Sequence, residues 1–202
     1  MELVVVFLPL LVSLHLLNRQ QQHLRIQRLA AMLQPLGLEK LMEQLSTGYL
    51  RALGESDPVR SAPIWNLLGE SEQRFGDQLQ SLAEKALQLS PEKARFSLWP
   101  MWAGLAARWL PVATFDMREL LNIHARGVAE VLRNPQGLER RAQAFMMSAE
   151  MLLFQHSCHV YCRSMGVASA RLLARHQTSH SQALGATSPS TQRAYRALLK
   201  TG

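Results

Sequence analysis

Residues His156, Cys158, His159 and Cys162, in the run HSCHVYC, place two imidazoles and two thiols within two turns of a helix, the one stretch of this chain with metal-ligand chemistry. Thiolate and neutral imidazole are the donors zinc takes in a tetrahedral array. On a helix Cys158 and Cys162 share a face at i, i+4, while His156 pairs with His159, and His159 with Cys162, at i, i+3. A single continuous helix presents four tetrahedral ligands poorly. A metal held here therefore needs a ligand from elsewhere, for which His124 is the candidate. The competing expectation is that the cysteines pack as small hydrophobes and the histidines hydrogen-bond between helices, with no metal and no cofactor. A metal- or haem-binding helical protein stands as an alternative.

Other catalytic chemistry has little support. There is no G-x-S-x-G, no phosphate-binding P-loop and no G-x-G-x-x-G. Glu70 and Glu72, or Glu119 and Glu130, are not spaced to bring two carboxylates closely together on one helical face, so all four are expected in solvent. The expectation is a protein that is not an enzyme.

The elements that would position these residues begin with an apolar one. Leu3 to Leu17 (LVVVFLPLLVSLHLL) is fifteen residues without a formal charge. At 1.5 Å per residue this is roughly 22 Å of helix, against roughly 30 Å of bilayer hydrocarbon. A cleaved signal peptide would need a positive start and a small-residue cleavage site, and neither is present. A buried core helix and a single membrane anchor over residues 1–18 remain, and the anchor is the expectation. Arg19, Arg25 and Arg28 follow the run while Glu2 precedes it. The positive-inside rule then keeps residues 19–202 in the cytoplasm, a single-pass inner-membrane arrangement. Two cysteines, poorly placed for a disulfide, agree with that compartment.

Charge is unevenly distributed. Residues 1–95 carry ten acidic and ten basic side chains; residues 96–202 carry five and twelve, which accounts for the net charge of +7. No acidic residue follows Glu150, against five arginines and one lysine. Such an end favours anionic partners, above all phospholipid headgroups. Nucleic acid is not expected, because the arginines are dispersed and no nucleic-acid-binding motif is present.

Hydrophobic residues make up 48%, enough for a core, and almost no segment alternates as a strand would. The first helix continues through Ile26, Leu29, Ala30 and Leu33 to the stop at Pro35-Leu36-Gly37. A second covers 38–53, with Leu38, Leu41, Met42, Leu45, Tyr49 and Leu53 as its stripe. Residues 54–63 (GESDPVRSAP) read as a loop. A third helix covers 64–88, with Leu67, Leu68, Phe75, Leu79, Leu82 and Ala86 inward. Another covers 116–133, opened by Asp116 and Glu119 as a capping box. Asn134-Pro135 ends it, and one long helix over 136–175 follows, with Phe145, Met146, Ala149, Leu153 and His156 in its stripe. Residues 177–191 read as a flexible linker. It leads to a short helix over 192–200 whose Tyr195, Leu198 and Leu199 would form a docking face.

Phe96 to Phe115 carries one charge, Arg108, and three of four tryptophans: Trp99, Trp102 and Trp109. Pro100 and Pro111 bracket about ten residues of possible helix, too short to span and suited to an interface or a core. Trp is favoured at headgroup level by its apolar body and polar N–H.

The stretch from Leu120 to Gly166, with Leu121-Asn122, Asn134-Pro135, Leu138 and Arg163-Ser164-Met165-Gly166, resembles the helical region preceding the catalytic domain of polyhydroxyalkanoate synthases. It covers about a quarter of the chain, and the hydrolase domain of that family is absent. No catalytic residue carries over. The resemblance implies an accessory protein associated with lipid-like granules.

The expected architecture is all-α: an anchor helix over 1–18, an irregular bundle of about five helices over 19–176 and a flexible tail over 177–202. The expected role is a membrane-anchored accessory or scaffold protein that recruits partner proteins.

Overall fold

A computed structural model describes residues 2–97 and 114–201, with side chains in the first helix from Val12 onward. The fold is all-α. Helix α1 spans Glu2–Leu33 and ends in a 3₁₀ turn at Gln34–Leu36. Gly37, at φ 60°, makes the left-handed step into α2, Leu38–Gly54. Helix α3 spans Pro58–Leu87 and α4 Pro91–Ala94. Two short strands follow, β1 Arg95–Ser97 and β2 Thr114–Asp116, paired antiparallel. Then come α5 Met117–Arg133, α6 Arg140–Cys162, α7 Met165–His176, α8 His180–Gly185 and α9 Pro189–Thr201.

The core lies where α3 packs between α2 and α5 and where α6 closes over α5. Phe75, Leu79, Leu82 and Ala86 form the α3 stripe and are wholly buried against Leu121, Val128 and Leu45. Truncating one of the large members to Ala costs about 2–5 kcal/mol, because the site cannot collapse around the void. Leu67 falls outside this stripe and is 66% exposed, contrary to its expected inward place.

Several boundaries differ from expectation for local reasons. Residues 54–63 are mostly helical: the Asp57 carboxylate accepts from the Val59 N–H, and Pro58 stands at the first helical position, where its missing N–H costs nothing. The long helix expected over 136–175 is two helices. It breaks at Arg163 (φ −131°, ψ −94°), and the Ser164 hydroxyl caps α7 by accepting from the Val167 N–H. The Asn134 side chain stitches the α5–α6 turn from both sides, donating to the Leu138 carbonyl at 2.9 Å and accepting its N–H at 2.8 Å.

The β1–β2 ladder was not expected from so little strand patterning. Burial explains it: Phe96 pairs with Phe115, and Phe96 meets the Tyr161 ring edge-on at 5.3 Å. The ladder joins the two ends of the tryptophan-rich stretch. Trp99, Trp102 and Trp109, and the possible helix between Pro100 and Pro111, lie outside the described residues.

The tail is a second correction. Residues 177–191 are not a flexible linker: Ser179 and Gln182 form a reciprocal capping box that starts α8, and α9 packs on α5. Tyr195 and Leu198 are buried in the core and Leu199 packs against it, so they form no exposed docking face.

Helix α1 has two halves of different character. Toward its C-terminus it docks on α6, burying Arg25 and Leu29. Arg163 there donates to Gln22 at 3.0 Å. Toward its N-terminus Val12, Leu16 and Leu17 are 50%, 57% and 59% exposed. Among the described residues no helix is long and apolar enough to cross a membrane.

Candidate functional site

Buried polar side chains concentrate along one seam, where α5, α6, α8 and α9 meet. His124 on α5 is wholly buried, and its Nε2 lies 2.9 Å from Ser157 Oγ on α6. Ser157 in turn is 3.3 Å from the Tyr195 hydroxyl on α9. Phe154 packs edge-on against the His124 ring at 5.7 Å. Burial, reinforced by His156, pushes the His124 pKa down to about 3, so the ring is neutral at physiological pH.

His156 makes a bond of the same kind: its Nε2 meets Ser169 Oγ of α7 at 3.1 Å, and its ring stacks on His180 of α8 at 4.4 Å. Burial, then His180 and His159, lower its pKa to about 3. Both histidines tie helices together as neutral hydrogen-bonding groups.

Glu150 anchors the other end of the seam. It is wholly buried, and its Oε1 accepts the Ser188 backbone N–H at 2.9 Å, at the start of α9. The Ser188 hydroxyl caps that helix by accepting from the Thr191 N–H at 3.3 Å. Burial drives the Glu150 pKa up to about 7 against the Ser188 and Thr191 groups that favour the charged form, and Glu130 adds to the rise. Glu150 Oε2 has no hydrogen bond of good geometry among the described residues, although the Thr191 hydroxyl acts on it electrostatically. The half-buried Glu130 accepts a hydrogen bond from Ser190 in the first turn of α9. Two carboxylates thus face the positive end of that helix dipole.

Gly127 makes this approach feasible. A Cβ there would lie 2.0 Å from Thr191 Oγ1 and 2.8 and 2.9 Å from the Glu150 oxygens.

A second buried ionic contact links α2, α3 and α6. The Tyr49 hydroxyl donates to Glu72 Oε1 at 2.5 Å, Arg140 donates to Glu72 Oε2 at 2.8 Å, and the guanidinium lies 5.3 Å from the Trp65 ring centroid. Glu72 is 3% exposed, which corrects its expected place in solvent; so does the contact of Glu130 with Ser190. Burial next to a carboxylate raises the Tyr49 pKa well above its usual value.

Of the four residues in the HSCHVYC run, the structure gathers no cage. Cys158 is buried and free, its thiol pushed up by burial, and Cys162 is half-buried with a pKa raised to about 11. His156 is committed to Ser169 and His124 to Ser157. Among the described residues no group of three His, Cys, Asp or Glu side chains is placed to hold a metal. The arginines after the apolar run also divide. Arg19 is exposed and Arg28 half-buried. Arg25 is only 8% exposed, its pKa lowered chiefly by burial, so it faces α6 and not a headgroup layer.

Chemically, Ser157 and His124 have the spacing of a nucleophile and its base. Among the described residues, however, no carboxylate orients His124 Nδ1, and Ser157 is 1% exposed. The seam is a set of buried hydrogen bonds and ring contacts that ties α6 to α5, α7, α8 and α9. Glu150, Ser157 and Tyr195 were not singled out for it from sequence, because their partners are 33 to 38 residues away. Models of known families, curated proteins and solved structures give no match to this chain.

Proposed function

We propose that this chain is a non-catalytic accessory protein, held at the cytoplasmic face of a membrane by α1, where it gathers partner proteins. The observation that carries this reading is the two-sided character of α1. One unbroken helix is locked to the bundle through Arg25, Leu29 and the Gln22–Arg163 bond, yet shows Val12, Leu16 and Leu17 to solvent. Isolated exposed leucines are ordinary on a surface. Here the three close an apolar run that begins at Leu3, and Arg19 follows at the point where headgroups would lie. The burial of His124, Ser157 and Glu150 supports a non-catalytic role.

The test is flotation of the full-length chain with vesicles containing anionic lipid. The native chain floats with the vesicles. Replacing Val12→Gln, Leu16→Gln and Leu17→Gln leaves the bundle folded and the chain at the bottom of the gradient; equal flotation of the two refutes the attachment.

A further inference from the structure

The break at Arg163 and Ser164 folds α7 back along α6 and leaves a shallow cleft between them, open on one side. Its floor is His156 and Leu172; its walls are His159, Arg171, Arg175 and His176. Among the described residues no carboxylate lines it. Neither Arg171 nor Arg175 has an ion-pair partner among the described residues, whose ion pairs are Arg60–Asp57, Arg118–Asp116 and Arg140–Glu72.

Attraction to the negative end of α7 accounts for Arg175 and His176 in its last turn. It does not account for Arg171, one turn earlier, or for His159 on the facing helix. Two arginines at i, i+4 repel one another on a helix, a cost that an anion between them would reverse. His159 feels both guanidiniums, with Glu39 as a weaker opposing charge. The second observation is in the floor. His156 is 1% exposed, lines the cleft, and has no hydrogen-bond partner on Nδ1 among the described residues. In the tautomer whose Nε2 accepts from the Ser169 hydroxyl, that nitrogen carries the proton and needs an acceptor.

The geometry points to a phosphate-binding site in the α6–α7 cleft, in which the Arg171 and Arg175 guanidiniums and the His159 ring hold a phosphate group whose inner oxygen meets His156 Nδ1. A tetrahedral dianion has oxygens enough to meet donors converging from two helices, and the guanidinium forks suit it. The apolar floor at Leu172 and Ala168 accommodates carbon attached to that group. The phosphate has two sources, a free phosphate or phosphomonoester in solution and the headgroup of a lipid, and both present the same chemistry to the cleft. The site stands independently of the attachment through α1.

The experiment uses the full-length chain in a neutral detergent, with the side-chain resonances of His159 and His176 followed by NMR during titration with inorganic phosphate, and with sodium chloride at matched ionic strength. A parallel arm measures binding to phosphatidic acid vesicles against phosphatidylcholine vesicles. Both arms compare the native chain with R171Q/R175Q and with R193Q/R196Q, a variant of equal charge altered on α9. All four arginines are exposed, so folding is preserved. The site predicts that phosphate shifts the His159 and His176 resonances where chloride does not, and that R171Q/R175Q weakens binding by at least about tenfold while R193Q/R196Q does not. The same contrast in the vesicle arm alone identifies the lipid headgroup as the source; in the phosphate arm it identifies a soluble one. Equal losses in the two variants report net charge only and overturn the site, as does indifference of both arms to R171Q/R175Q.

Discussion

Glu150 Oε1 accepts the backbone N–H of Ser188 at 2.9 Å, so a wholly buried carboxylate on α6 fixes the start of the last helix. The bond joins residues far apart in sequence and gives a composition that reads as a linker a defined path. It depends on Gly127, where α5 leaves just enough room for the Glu150 carboxylate and the Thr191 hydroxyl. Gly127→Ala forces those groups apart and is expected to cost about 1–3 kcal/mol. Urea denaturation checks the magnitude. Faster proteolysis between His176 and Pro189 in the variant checks that α9 is what moves.

The same seam sets the pH dependence of stability. Glu150 titrates at about 7 in the fold, against roughly 4.3 in an unfolded chain. The native state holds its proton longer, so its contribution is full at low pH and is lost as pH rises through about 7. His124 and His156, held at about 3, work in the opposite sense: their contribution is present above the unfolded value near 6.5 and is lost as pH falls towards 3. Two histidines outweigh one glutamate over the range they share. Stability therefore rises from acid to a maximum near pH 6.5–7 and then declines. Glu150→Gln removes the alkaline decline. The difference in unfolding free energy should move by about 2–3 kcal/mol in the variant's favour between pH 5 and pH 8.

Arg140→Met strands the buried Glu72 carboxylate, with only Tyr49 to satisfy it. The expected cost is about 2–4 kcal/mol, tempered because Arg140 remains 31% exposed. Pairing it with Glu72→Leu removes the stranded charge. The double variant should be more stable than Arg140→Met alone, and a double-mutant cycle by denaturant titration reads the difference.

Helices α2 and α5 were legible because each has one wet face: Leu38, Leu45 and Tyr49, or Leu121, His124 and Val128, mark the other. Helix α6 was not, since from Ala149 to Tyr161 it is buried on most sides and its period blurs. Phe145 was assigned inward and is 58% exposed, while Glu150 is wholly buried. The capping signal Ser179-x-x-Gln182 was present in a segment whose small polar composition reads as a linker, and composition misled where local hydrogen bonding decides. His124, His156 and their serines could be anticipated as interhelical polar contacts. Which serine meets which histidine follows only from the turns that set helix register, at Asn134–Leu138 for His124 with Ser157 and at Arg163 for His156 with Ser169.

The two cysteines give a further check. Burial raises both thiols, so neither is a reactive thiolate near neutral pH. Cys162, half-buried, should react slowly with a thiol reagent in the native protein. Cys158 should react only at the rate of unfolding, with both rates equal in denaturant.

The central claim is that α1 attaches a folded bundle to a membrane, and its most direct measurement is cell fractionation of the full-length chain beside one beginning at Arg19. The shorter chain keeps Gln22, Arg25 and Leu29, through which α1 docks on α6. The account predicts full-length protein in the membrane fraction, released by detergent and not by salt, and the shorter chain folded in the soluble fraction. Equal solubility of the two without detergent would contradict it.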